Sequence, residues 1–412
     1  MSKSEAPFLR TFFILSGLTI LGPLAFETFL PAIEDTAISL NTNVNTVLKT
    51  IALMQLGTAS GQIIYGPLSD RLGRRPIVLG GLITFTTCSF LSALVDSTEP
   101  LFVLRLLHGL ALASTMIIFR AVVRDLFSVT QGARMYSYLF VVLSTMPLVG
   151  PLLGGFLTEA FGWRSVFFLM GSIGSLVLLV LLIFFEESLA VKDARATAPQ
   201  ILIVSFAQML RDRTFVSFLI CGMGAYGGLF ALLGGLAPVM MGFMGETPRI
   251  FGIQFSMIMA AHLAAALFTG RLVRKLGIKN LLSLATGISA IGGVLILVFA
   301  LADITTRIAI LAPAGVFAIG FALTMAPMTA GAMSNFQHMA GRASSLLGFI
   351  HQGTGSLVIL VLSIFNTGTQ MPMVLTISVC SFVAIAAYYF LVRRAPLNKE
   401  PLNKMKLLIL YF

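Results

Sequence analysis

Gly66-Pro67-Leu68-Ser69-Asp70-Arg71-Leu72-Gly73-Arg74-Arg75-Pro76 separates two long apolar runs, and Gly270-Arg271-Leu272-Val273-Arg274-Lys275-Leu276-Gly277-Ile278-Lys279 separates two more. Gly66 falls on Gly270 and Gly73 on Gly277, both at an offset of 204 residues. A basic loop between apolar runs arises easily by chance. A shared Gly-x-Leu…Leu-Gly frame at the same place in each half points instead to a duplicated chain.

The apolar runs themselves set the fold class. A helix crossing hydrocarbon needs roughly 20 mostly apolar residues, and that ruler marks twelve spans, at about 10–32, 45–66, 77–95, 100–122, 135–157, 164–185, 214–238, 250–271, 281–300, 306–332, 343–365 and 371–392. Of the 412 residues 57% are apolar and 10% charged, with a mean hydropathy of +0.97. A soluble domain carries about 25% charged residues, so a cytosolic enzyme, a secreted disulfide scaffold and a disordered tail protein are all excluded. Cys88, Cys221 and Cys380 lie far apart inside apolar runs and suggest neither a disulfide framework nor a metal site. The first run is too long for a cleaved leader, contains Pro23, Glu27 and Pro31, and lacks a small-residue cleavage pattern. The expected fold is therefore an all-α membrane protein with two pseudo-symmetric six-helix bundles. They would occupy residues 1–185 and 214–394, joined by a polar interdomain loop at 186–213 and followed by a tail at 395–412.

Charge placement gives the orientation. Of 27 Lys and Arg, 21 lie in alternate connections beginning with the N-terminal tail, and 3 (Arg164, Arg249 and Arg307) in the opposite ones. Lys49, Arg105 and Arg120 fall within spans. The positive-inside rule then puts both termini in the cytoplasm. The net charge of +11 is topology, with an attraction to anionic lipid as a by-product, and implies no nucleic-acid partner.

These segments resemble a known family. The loop at 66–76 is similar to the signature loop of the major facilitator superfamily. Leu101-Phe102-Val103-Leu104-Arg105-Leu106-Leu107-His108-Gly109 resembles the fourth-helix motif of its proton-coupled drug antiporters, and Gly150-Pro151-Leu152-Leu153-Gly154-Gly155 their fifth-helix motif. Glu27-Thr28-Phe29-Leu30-Pro31-Ala32 and His338-Met339-Ala340-Gly341-Arg342-Ala343-Ser344-Ser345-Leu346 narrow the likeness to the bicyclomycin- and chloramphenicol-resistance branch. It runs from about residue 10 to 394 and leaves out the tail, with its repeated Pro-Leu-Asn-Lys at 396–399 and 401–404. There are departures. Glu27 stands where the family usually has Asp, Met146 where the fifth-helix motif opens with Gly, and His108 where Gln is common. Arg274 replaces the signature Asp in the second loop, so that half should lack the same charge switch.

The resemblance implies a major facilitator fold working by alternating access in the bacterial inner membrane, with no enzymatic activity and no cofactor. It implies an exporter that exchanges protons for a drug or metabolite. It also implies a proton-relay role for Arg105 and a gating relay of Asp70, Arg74 and Asp125, framed by Gly66 and Gly73, that latches the outward-facing state. Gly150, Pro151, Gly154 and Gly155 would shape a gating helix interface.

Residue chemistry supplies its own expectations. Glu27 is the only acidic residue well inside a span. An ionised carboxylate at mid-bilayer costs roughly 2.5–3.5 kcal/mol even on the lenient scale, so it should face a cavity, find a partner or take up a proton. Pro23, Glu27 and Pro31 repeat at i, i+4, i+8 and would share one helix face. Arg105 and Lys49 lie at a similar depth, which invites pairing, although Lys49 could equally snorkel to the interface. His108 and Gly109 follow Arg105 on one face, and Gly109 permits close helix approach. Asp70 and Arg74, at i and i+4, read as a surface pair contributing little. Tyr226, Phe230, His262, Asn335, His351 and Gln352 are candidates for a substrate cavity in the C-terminal half, with packing as the alternative for each. With Arg105 and Lys49 beside it, the Glu27 region is net positive whether or not Glu27 carries a proton, which favours a neutral or anionic small molecule. The alternatives are a proton-coupled importer of an anionic metabolite or carboxylate siderophore, and a non-transporting membrane receptor or scaffold. No zinc spacing or nucleotide-binding loop is present, and a monomer working with protons, substrate and the lipid bilayer is expected.

Overall fold

A computed structural model describes residues 5–194, 196–365 and 367–396, and every regular element among them is helical. The tail read at 395–412 lies almost wholly outside the described residues. α1 (Glu5–Glu27) ends where it does because Pro31 cannot donate to the Glu27 carbonyl, and its ring would clash with it. The chain turns through a short 3-10 segment, Leu30–Ala32, into α2 (Ile33–Ser39). This corrects the expectation of one helical face through Pro23, Glu27 and Pro31. Pro31 breaks the helix, and Glu27 is its last residue.

α3 (Val44–Leu72) starts from Asn43, whose side chain accepts the Thr46 N–H at 2.8 Å. α4 (Arg74–Ala93), α5 (Thr98–Leu126), α6 (Val129–Phe161) and α7 (Arg164–Phe184) complete the first set. The polar connection expected as a loop holds a helix of its own, α8 (Pro199–Arg211), before α9 (Arg213–Ala237). α10 (Pro248–Leu301), α11 (Arg307–Met333), α12 (Ala340–Phe365) and α13 (Met371–Phe390) follow.

Ten stretches among the described residues are long and apolar enough to cross a membrane. Twelve crossings result once two facts are added. α10 has 54 residues, about 81 Å against a hydrocarbon core of about 30 Å, and its backbone turns at Gly277 (φ 76°, ψ 169°). α3, more polar but 29 residues long, packs between α5 and α12.

The duplication is visible in the backbone. Gly73 (φ 109°, ψ 161°) and Gly277 adopt the same turn, in a region where a side chain would strain the chain. Positive φ also recurs at Asn41 and Gly245, offset by 204 residues, and at Gly162 and Gly368, offset by 206. Three of the links within each half therefore turn alike.

α1 to α7 pack among themselves, as do α9 to α13; α3 against α12 and α6 against α10 join the two sets. α3 and α5 touch backbone to backbone. A Cβ on Gly57 would lie 2.7 Å from the Leu110 amide nitrogen, and Thr58 donates across to the Gly109 carbonyl at 3.2 Å. The outer surface is apolar, with Leu176, Val298 and Phe382 exposed, as a lipid solvent requires.

The connection between the sets is fastened at both ends. Asp193 N–H donates to the Asp70 carbonyl and Arg71 to Thr197 Oγ1, each at 3.0 Å, which holds Asp193 and Thr197 to the last turn of α3. α8 packs on α9 and α12, and Arg342 donates to its Ser205 hydroxyl at 3.0 Å.

Candidate functional site

Glu27 is 7% exposed, at the break after α1. α6 closes over it through its glycines. A Cβ at Gly150 would come within 2.8 Å of the Glu27 Cβ, and one at Gly154 would overlap the backbone of Thr28. On the other side, Gly155 lies against the backbone of Pro248, and Gly252 of α10 against that of Pro151. Ser256 donates to the Leu148 carbonyl at 2.7 Å, and the Arg249 N–H to Glu159 at 3.2 Å. One small-residue motif therefore serves two contacts, with the carboxylate on one face and the start of α10 on the other. The close contacts between α6 and α10 lie at 148–159 and 248–256. On the N-terminal side of this contact, α6 leaves positions 142–147 half-exposed.

The expected pairing of three charges is not formed. Glu27 Oε2 has no hydrogen-bond partner among the described residues. Arg105 is fully buried, with its guanidinium 4.4 Å from the Phe29 ring centre and 5.4 Å from that of Phe167, and none of its side-chain nitrogens is hydrogen-bonded among the described residues. Phe29 leaves the same helix break as Glu27 and takes the place over the cation that a carboxylate would occupy. Lys49 is half-buried and enters no ion pair among the described residues.

The other cavity candidates divide. His108 lies inside the contact between α4 and α5, its Nε2 3.2 Å from Ser89 Oγ and its ring 4.4 Å from that of Phe85, which corrects its placement on a cavity. Asn335 lies beyond the end of α11 and donates to Asp212 Oδ2 at 3.1 Å, so it belongs to the start of α9 rather than to a cavity. The remaining five gather. Phe230 of α9 meets Phe26 of α1 at 5.8 Å, and Tyr226 stacks on His351 at 4.6 Å. Phe321 joins Tyr226 at 5.6 Å to His262 at 5.7 Å, and the His262 ring reaches the Ala318 carbonyl at 3.2 Å. Gln352 is half-buried next to His351. This ladder of rings runs from α1 across α9, α11 and α12 to α10.

A residue that sequence reasoning passed over faces it. Arg120 is exposed and donates to Ser344 of α12 at 3.0 Å, about two helical turns before His351 on the same helix. Its position within a span was the available signal, since a basic residue there has no topological use.

At the opposite end, Arg74 is 1% exposed. Its guanidinium lies 2.6 Å from Asp70, donates to Asp125 at 2.9 Å and to Ser69 Oγ at 2.6 Å. The surface pair expected here is thus a buried cation held by two acids. Gly66, about one turn before Asp70 on α3, lies against Ser345 of α12. Glu187, which gave no signal in the sequence, caps α4 by accepting the N–H groups of Arg74 at 2.9 Å and Arg75 at 3.2 Å. Partial burial pushes its carboxyl up, but the amides of Leu189, Arg74, Arg75 and Ser188 outweigh this and hold it below the usual range. Its support for the turn is therefore complete at neutral pH and is lost as pH falls through that lowered value.

Asp125 and Asp70 are unequal partners, with side chains 13% and 43% exposed. Asp125→Asn is expected to cost about 3 kcal/mol and Asp70→Asn about 1 kcal/mol. Because both act on Arg74, the double variant should cost less than the sum. Thermal unfolding of the four proteins in one detergent checks this, and additive losses would separate the two acids.

With this geometry in place, the chain matches a family model, Major Facilitator Superfamily, over residues 15–359. The chain belongs to the Major Facilitator Superfamily. It is a membrane transporter by family, not an enzyme. A bicyclomycin resistance protein homolog of Haemophilus influenzae is 27% identical over 399 residues, covering 95% of this chain and 98% of that one. A chloramphenicol resistance protein of Pseudomonas aeruginosa is 29% identical, covering 88% and 86%, and multidrug resistance protein D of Escherichia coli 26%, covering 85% and 88%. A D-xylose–proton symporter shares the major facilitator fold with a TM-score of 0.72 at 15% identity, over 95% of this chain and 98% of that one.

Proposed function

We propose that this chain is a proton-coupled exporter of small molecules in the bacterial inner membrane, with both termini cytoplasmic. One observation carries it. Glu27 is buried at a helix break, its Oε2 without a hydrogen-bond partner among the described residues, directly beneath Gly150 of the α6–α10 seam. A carboxylate so placed is best accommodated with a proton on it. Losing the proton would create a charge beneath the very seam that must open and close, and Arg105, buried with its side-chain donors unused among the described residues, is the cation to receive it. In this reading the seam at 148–159 is the closed outer gate. The ring ladder and Arg120 line a path open to the cytoplasm. The Asp70–Arg74–Asp125 network latches the opposite state. Residues 1–185 and 214–394 act as the two rocking units of a monomer. The test is proton movement when substrate is added to proteoliposomes, for which chloramphenicol and bicyclomycin are the first compounds because relatives are named for resistance to them. Alkalinisation of the compartment that gains substrate supports exchange; acidification there supports co-transport.

A second reading, import of an anionic metabolite, is favoured by the cations Lys49, Arg105 and Arg120, none of which is joined to an acid among the described residues. Lys49→Gln distinguishes the two. If Lys49 faces the path, the variant loses roughly tenfold in affinity for anionic analogues and keeps its affinity for neutral ones. A binding series on matched anionic, neutral and cationic compounds measures this, and an unchanged series places Lys49 at the interface.

A further inference from the structure

The second glycine loop lacks what neutralises the first. Asp70 becomes Arg274 at the offset of 204 residues, and over the offsets of 204 to 206 that the turns keep, Asp125 falls on Thr329 to Gly331 and Glu187 on Leu391 to Arg393, none of them acidic. The basic residues stay, with Arg271, Arg274 and Lys275 all exposed and in no ion pair among the described residues. A chain that answers its cations with three carboxylates in one half and none in the other leaves room for an anion from elsewhere.

The same residues border a groove. A cleft of about 800 Å³ opens between the first half of α10 and α11, walled by Phe268, Leu272, Ile319 and Leu323, with Arg271, Arg274 and Lys275 at one end. Arg271 lies 5.8 Å from the Phe268 ring centre, so its charge is held at the rim of the apolar wall. Along α10 the groove runs from Ala265 to Lys275. Ten residues of helix rise about 15 Å, half of a hydrocarbon core of about 30 Å. The groove therefore spans the depth of one leaflet, from the headgroup level to the midplane of the bilayer.

We infer that this groove binds a phospholipid with an anionic headgroup, its acyl chain against Phe268 and Leu272 and its phosphate on Arg271, Arg274 and Lys275. A soluble anion would use the basic end and leave the apolar wall empty. A zwitterionic lipid would bring a cation of its own to the three already there. Only an anionic lipid complements both parts. That the leaflet is the cytoplasmic one rests on the proposed orientation; the binding itself does not.

Purified full-length protein in detergent is titrated with phosphatidylglycerol, phosphatidylcholine and inorganic phosphate, with retained lipid read by native mass spectrometry and stability by thermal unfolding. Phosphatidylglycerol should be retained at least tenfold more tightly than phosphatidylcholine. The triple variant R271Q/R274Q/K275Q should lose that preference, roughly 10- to 100-fold. Ile319→Trp, which fills the groove and keeps the charges, should weaken phosphatidylglycerol binding and leave any effect of inorganic phosphate unchanged. Equal retention of the two lipids by the wild type overturns the inference, as does an undiminished preference in the triple variant. Protection by inorganic phosphate equal to that by phosphatidylglycerol shows a free-anion site and overturns it too. None of these readouts involves transport, so failure here leaves the exporter reading standing, and failure of that reading leaves this one.

Discussion

Glu27→Gln abolishes uphill transport and leaves downhill exchange measurable. The amide keeps the shape of the protonated acid, so the helix break at Glu27 and the contact with Gly150 persist. What disappears is the ability to lose a proton. With no charge to develop beneath the seam, the protein should cycle between its two states with substrate alone, and a pH gradient should no longer drive accumulation. The expected loss is at least a hundredfold in gradient-driven flux, with substrate affinity within about threefold of wild type, on the view that the coupling group and the ring ladder are separate. Flux into proteoliposomes with and without an imposed pH gradient measures both quantities. A well-expressed variant that still accumulates substrate against its gradient removes Glu27 from the mechanism.

Gly155→Val acts on the same seam from its other face. The glycine Cα sits against the backbone of Pro248, and backbone cannot swing aside as a flexible side chain can. A β-branched residue must therefore push α6 and α10 apart. The state in which this seam is closed should be depopulated and transport should fall by at least tenfold, since one or two kcal/mol is enough to displace a balanced two-state equilibrium. Affected protein should still fold, because Gly155 lies between the two helix sets rather than inside one. Labelling of a single cysteine introduced at Ser256, which bonds to Leu148 across the seam, reports the opening from the gated side. Unchanged labelling together with full transport would mean that the seam has slack that the structure does not show.

The crossings were legible because a bilayer imposes length and composition on each of them, and the glycine turns because positive φ leaves few residue choices. Asp70, Arg74 and Asp125 could be grouped from spacing together with the resemblance. What the sequence hid was rotation about each helix axis. Membrane helices are apolar on nearly every face, so the 3.6-residue period that betrays a buried side in soluble helices is faint here. This is why His108 read as a cavity residue when it turns towards Ser89, and why Arg105 read as the partner of Glu27 when two rings enclose it. Asn335 and Glu187 were beyond reach for another reason. Each is defined by a contact more than 100 positions away, Asp212 in one case and the start of α4 in the other.

The connection fastened at both ends carries a consequence for how far anything can move. With Asp193 and Thr197 held to the last turn of α3 and α8 held to α9 and α12, Ala198 alone among the described residues lies between the two fastenings. One or two residues reach at most about 7 Å when drawn straight. A rocking motion must therefore pivot near this point or tear one fastening loose on each stroke. The connector thus acts as a short leash rather than a loose string, and lengthening it would alter the stroke itself.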